Sequence, residues 1–127
     1  MTKRILATTA SPGSPLYSQG IWIDSTIYVS GMVGLDPATH ELAGETIQEQ
    51  TRQAIENCIS IVETGGGSRE DIVMVTVLLA RPGDFAGMNE AYATAFPAQP
   101  PARAVARLGP ELPGILVSVA LVAQLES

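Results

Sequence analysis

Histidine and cysteine are almost missing from this 127-residue chain, which holds one of each, His40 and Cys58. A single cysteine excludes an internal disulfide and suits a reducing compartment, so a cytoplasmic location is expected. A single histidine excludes a multi-histidine metal site and a histidine pair for acid–base cleavage. His40 falls in a loop between turn signals and Cys58 on the apolar side of a predicted helix. They read as a solvated histidine and a core cysteine. No Cys/His spacing resembles a zinc site, no Gly-Lys-Ser/Thr phosphate loop exists, and "GGGS" follows a helix rather than preceding one. Basic residues are also scarce: seven Lys and Arg against thirteen Asp and Glu, a net charge of −6. Sequence-independent nucleic-acid affinity comes from clustered Lys and Arg, so no nucleic-acid partner is expected. No run reaches the roughly 18 apolar residues of a membrane span. The opening "MTKRILATTASPGSP" is too poor in apolar residues for a signal peptide.

What is present is a chain 46% hydrophobic and 16% charged, which argues against disorder and for one domain over 1–127 with its own core. "KRILA" (3–7) predicts a first strand, followed by a Ser/Pro/Gly loop. "GIWID" and "TIYVSG" read as a hairpin turning at Asp24-Ser25, and residues 34–44 as a loop. Ile47, Thr51, Ala54, Ile55, Cys58, Ile59 and Val62 form one apolar stripe of a helix, with Glu49, Arg52, Gln53, Glu56 and Asn57 opposite. Thr46 and Glu49 fit a capping box, and Gly65-Gly66-Gly67 stops the helix. Strands are predicted over 71–82, 102–108 and 115–124. A shorter helix over 84–96 carries Phe85, Met88, Tyr92 and Phe96 on one side. The order β-β-β-α-β-α-β-β gives an α/β (α+β) fold: a six-stranded, mostly antiparallel sheet with both helices on one face.

Residues 72–80 and 115–123 are apolar on both alternating sets, so both faces of these strands call for burial. Two helices cover one face, and copies of the same chain are the most economical cover for the other. A homo-oligomer packed sheet against sheet is expected.

"PPARAVARLG" (100–109) places two of the seven basic residues, Arg103 and Arg107, in an apolar C-terminal third. Alternation along a strand turns Arg103, Val105 and Arg107 the same way. A guanidinium stays charged at physiological pH, and its planar fork matches a carboxylate in bidentate fashion. Either these arginines grip a small anionic metabolite, or they lie on a solvated face or bridge acidic groups of another subunit.

"SPLYSQG" (14–20), "IYVSGMVGLDPATHELAG" (27–44), "TIQEQTRQAIENCISIVETGG", "DIVMVTVLLA", "DFAGMNEAYATAFP" and "PPARAVA" together resemble the RidA family. It is also called YjgF, and many members were earlier labelled endoribonucleases. The likeness runs from about residue 3 to 124, and Pro101-Ala102-Arg103 is its most specific element. It implies a chorismate-mutase-like fold and a homotrimer with an inner barrel of sheets, helices outside and ligand clefts at the subunit interfaces. It also implies hydrolysis of 2-imino or 2-enamino acids, released by pyridoxal-phosphate dehydratases, to 2-keto acids and ammonia, without cofactor or metal. Arg103 matches the family arginine that holds the substrate carboxylate, and Arg107 has no counterpart role. Tyr17 is expected to wall the cleft. Gly31 and Val105 match positions whose backbone approaches the ligand, and Asn89 belongs to the Met-Asn element of the second helix. Two positions depart from the pattern. Ser118 stands where the most active deaminases carry a water-orienting glutamate, and Val105 stands where a cysteine is frequent. Serine holds water by hydrogen bonds but is no base near neutral pH. A carboxylate-binding protein with little turnover is therefore the alternative, unless Glu111 or Glu126 of another subunit replaces the glutamate. A ribonuclease fits least.

Overall fold

Thr46 and Glu49 open the main helix as the capping pattern predicts. In the computed structural model, the Thr46 hydroxyl accepts a hydrogen bond from the Glu49 amide (3.1 Å). The Glu49 carboxylate accepts one from the Thr46 amide (3.3 Å). The contacts with Thr46, side chain first, also hold the Glu49 carboxyl below its ordinary range. The structure describes residues 2–126; Met1 and Ser127, the ends of the expected 1–127 domain, lie outside them. Helix α1 runs Ile47–Thr64 and ends at Gly65, after which Gly66 takes a φ of +90°, a left-handed step that glycine makes without a Cβ clash.

The buried side of α1 is wider than its apolar stripe. Asn57, expected opposite that stripe, is buried. Its amide donates to the Val33 and Leu35 carbonyls at 3.0 and 2.9 Å. Gln50 is buried as well. It donates to the Gly44 and Gly114 carbonyls (3.0 and 2.9 Å) and accepts from the Leu116 amide (2.9 Å). Periodicity of apolar residues does not register such amides, because they satisfy buried loop backbone rather than fill space.

Six strands build one sheet: β1 Arg4–Leu6, β2 Gly20–Ile23, β3 Thr26–Val33, β4 Ile72–Leu79, β5 Ala102–Arg107 and β6 Val117–Gln124, in the order β1-β2-β3-β6-β4-β5. Every pairing is antiparallel except β4 with β5. That parallel pair needs a crossover, supplied by helix α2, Phe85–Ala95. β4 stops short of the predicted residue 82 because Pro82 opens a tight turn leading into α2.

Cross-strand register sorts the side chains by face. One set of rows is Val29–Leu121–Val75–Arg103, Met32–Val119–Val77–Val105 and Val117–Leu79–Arg107. Its valines, leucines and Met32, apart from the half-buried Val105, are buried with Ile55, Cys58, Ile59, Val62, Met88 and Tyr92, so both helices cover this face. The opposite rows are Tyr28–Val122–Met74–Ala102, Ala120–Thr76–Ala104 and Val33–Ser118–Leu78–Ala106. None of these residues is fully buried by the described residues, and Tyr28 is 50% exposed. The burial called for on both faces of β4 and β6 is thus met on one.

Candidate functional site

Arg103 and Arg107 stand on the helix-covered side of β5, at the outer ends of rows whose inner members are core. Because β5 is the edge strand, their heads leave the core where α2 passes over the sheet. Residues 85, 89 and 92 of α2 recur at helical spacing and so share one stripe toward β5. The Arg103 guanidinium lies 4.7 Å from the centroid of the Tyr92 ring and 5.9 Å from that of Phe85. Its Nη1 donates to Asn89 Oδ1 at 2.8 Å. Tyr92 is held from behind by Phe96, ring centroids 4.9 Å apart. An aromatic face attracts a cation through its quadrupole, so two rings and one amide fix the guanidinium without neutralising it. Among the described residues Arg103 has no carboxylate partner; the two ion pairs are Arg69–Glu56 (3.1 Å) and Arg81–Asp84 (2.9 Å). With Nη1 occupied, the Nη2 and Nε donors remain, which is the fork a carboxylate takes.

The Tyr92 hydroxyl is buried without a hydrogen-bond partner. Burial raises its pKa, with the Arg103 charge pulling in the other direction. Val105 is half-buried, paired with Val77 and packed against the core two residues beyond Arg103.

The remaining candidates lie elsewhere. Ser118 is on the uncovered face, between Val33 and Leu78. A Cβ added to Gly31 would come within 3.0 Å of Ser118 Oγ, so these two residues form one corner. Tyr17, 46% exposed, borders a cleft of about 760 Å³ shared with Ile5, Leu6, Thr8 and Gln19. Its neighbour Ser18 is tied through its carbonyl to the Ser30 hydroxyl (2.5 Å), which fastens the end of this loop to β3. The Gln19 side chain donates to the Thr8, Ser11 and Pro12 carbonyls and accepts from the Thr8 amide, shaping the loop that leads to Tyr17. Within one chain, then, Arg103, Asn89 and Val105 come together, Gly31 and Ser118 form a corner on the other face, and Tyr17 borders a separate cleft. The aromatic seat of Phe85 and Tyr92 was not read as part of a site; its signal is the 85-89-92 spacing ahead of the arginine strand.

His40 is exposed in its loop, and Cys58 is buried with its thiol donating to the Val119 carbonyl (3.2 Å). Burial pushes the Cys58 thiol up, leaving it an inert core residue. Among the described residues no helix is long and apolar enough to cross a membrane.

The sequence model of the family described as Endoribonuclease L-PSP matches residues 8–125. A RutC family protein of Saccharolobus solfataricus is 36% identical, the alignment covering 96% of this chain and 98% of that one. The 2-iminobutanoate/2-iminopropanoate deaminase of Mus musculus is 40% identical over 80% of this chain and 76% of its own length. Among solved structures, Escherichia coli TdcF with bound serine superposes with a TM-score of 0.90 at 29% identity, over 97% of this chain and 99% of that one. The chain belongs to the Endoribonuclease L-PSP family, the YjgF/RidA family.

Proposed function

We propose that the protein hydrolyses reactive 2-imino and 2-enamino acids to 2-keto acids and ammonia, with Arg103 holding the substrate carboxylate. The observation that carries this reading is the seat of Arg103: a charged fork, stacked on Tyr92, braced by Asn89 and matched by no carboxylate among the described residues. Relatives that bear the deaminase name support the reaction class. A protonated imine is already electrophilic, so positioning and charge neutralisation supply much of the help it needs. Water adds to the imine carbon, one proton passes from the added oxygen to nitrogen, the C–N bond breaks, and the second oxygen proton goes to the departing ammonia as the keto group forms, giving the keto acid and ammonium.

The same reading makes the site a shared one. Arg103 and the Gly31–Ser118 corner occupy opposite sides of the sheet, and the uncovered face is lined by Tyr28, Met74, Leu78 and Val122. A homotrimer burying that face would set one copy's arginine against another copy's Tyr17, Gly31 and Ser118. Ser118 Oγ would then hold the water by a hydrogen bond without removing its proton.

That limitation favours one second reading, a carboxylate-metabolite binding protein with little turnover. A ribonuclease fits least, because a net charge of −6 opposes RNA.

The experiment feeds 2-iminobutanoate from a threonine dehydratase to the purified protein and follows ammonia and keto acid. Faster release than the uncatalysed decay, lost in Arg103→Ala, is the expected result. Unchanged decay with calorimetric binding of 2-ketobutyrate selects the binding protein, and absence of both removes the proposal.

A further inference from the structure

Arg107 has no place in the reading above, yet it stands on the same side of β5 as Arg103 and beside the same aromatic ring. An apolar pocket of about 340 Å³ opens there, lined by Leu79, Pro82, Phe85, Val105, Ala106 and Arg107. Phe85, 46% exposed, forms the wall between the two arginines, since the Arg103 guanidinium lies 5.9 Å from its ring. The nearby Arg81 is already neutralised by Asp84. Arg107 has no ion pair among the described residues, so the far end of the pocket keeps a positive charge. Arg107 thus lines the pocket at one end, Phe85 closes it at the other, and the Arg103 guanidinium stands just beyond that ring, with Val105 between the two arginines on the strand.

We infer that the site takes dicarboxylic substrates: the 1-carboxylate on Arg103, the methylene chain along Phe85 and Val105, and the distal carboxylate on Arg107. The inference rests on the assignment of Arg103 as carboxylate anchor. Four strand steps of ~3.3 Å separate the two Cα atoms by ~13 Å, which is the spacing of the heads where the two side chains run parallel. A guanidinium–carboxylate pair takes up ~4 Å at each end, leaving ~5 Å between the carboxyl carbons. That is the reach of a five-carbon diacid. Arg103 leans away toward Asn89, so a six-carbon diacid also fits, whereas a monocarboxylate of four carbons leaves Arg107 without an anion. A site built to pair a charge discriminates strongly against a ligand that lacks the partner.

The test is calorimetry with the unreactive keto acids 2-oxoglutarate, 2-oxoadipate and 2-oxobutanoate on the wild-type protein, Arg107→Gln and Arg103→Ala. One of the diacids is expected to bind at least tenfold more tightly than 2-oxobutanoate, and Arg107→Gln to shrink that preference at least fivefold. Equal affinity for diacids and monoacid, or a preference that survives Arg107→Gln, overturns the inference. In that case 2-oxobutanoate binding that Arg103→Ala abolishes leaves the carboxylate anchor standing. Binding of none of the three acids by the wild type removes both.

Discussion

Asn89 and Arg103 are joined by one hydrogen bond, Nη1 to Oδ1 at 2.8 Å, that spends a single donor of the guanidinium and leaves its charge intact. An amide is the right partner for this task, because a carboxylate at the same place would take the charge as well as the donor. Asn89→Asp should therefore harm substrate binding more than Asn89→Ala. In steady-state kinetics KM is expected to rise about tenfold or more in Asn89→Asp, with kcat reduced less. An equal effect of the two variants would show that Asn89 merely fills space.

Arg103→Lys separates charge from shape. Lysine retains the cation but not the planar fork or its stacking on Tyr92. Bonds to charged groups contribute about 1.5–3 kcal/mol, so Arg103→Ala should weaken keto-acid binding about 10- to 100-fold. Arg103→Lys should recover only a minor part of it. Titration calorimetry reads both.

Ser118→Glu tests whether the missing carboxylate limits turnover. Imine hydrolysis should accelerate in the dehydratase-coupled assay, while keto-acid affinity falls or stays level because like charges then share the cleft. Gly31→Ala works on the same corner from the opposite side. Its added Cβ would press on Ser118 Oγ from 3.0 Å and should slow hydrolysis.

The buried Tyr92 hydroxyl makes a prediction about alkaline stability. Its pKa is raised in the folded protein, so the neutral phenol is favoured there. The stabilisation is complete below the ordinary phenol value near 10 and is lost as pH climbs from there through the raised folded value. Chemical denaturation above pH ~10 should show wild type losing stability that Tyr92→Phe retains. At neutral pH Tyr92→Phe should be as stable as wild type or about 1 kcal/mol better, since it removes a buried hydroxyl without a partner.

Gln50 carries a comparable structural load. Gln50→Leu strands the Gly44 and Gly114 carbonyls and the Leu116 amide, and should cost about 2–4 kcal/mol. The melting temperature should fall by about 8–15 °C.

The strands, both helices and the capping box were legible from residue spacing, because alternation and the 3.6-residue stripe report directly on burial. Cys58 and His40 were legible for the same reason. Less so were Gln50, Asn57 and Gln19, whose amides act on loop backbone brought in from distant parts of the chain. Phe85 was expected with Met88, Tyr92 and Phe96 on one apolar side; the structure leaves it half out of the core, where it meets Arg103. The side taken by Arg103 depends on the β4–β5 register, and local sequence does not encode which face of a strand a crossover helix will cover. Strand register sets Arg103 and Ser118 on opposite faces of the sheet, a separation that the sequence around either residue does not reveal.

β5 ends the sheet, and along its outer side its peptide groups pair with no further strand among the described residues. Bare borders of this kind invite indiscriminate zippering into fibrils. Here the hazard is blunted by brevity, by Pro100 and Pro101 just before the strand, and by repulsion between cations at positions 103 and 107. Neutralising both arginines would therefore do more than disable recognition: it would strip the molecule of its guard against clumping, so such a double variant needs a solubility control before its silence is read as chemistry.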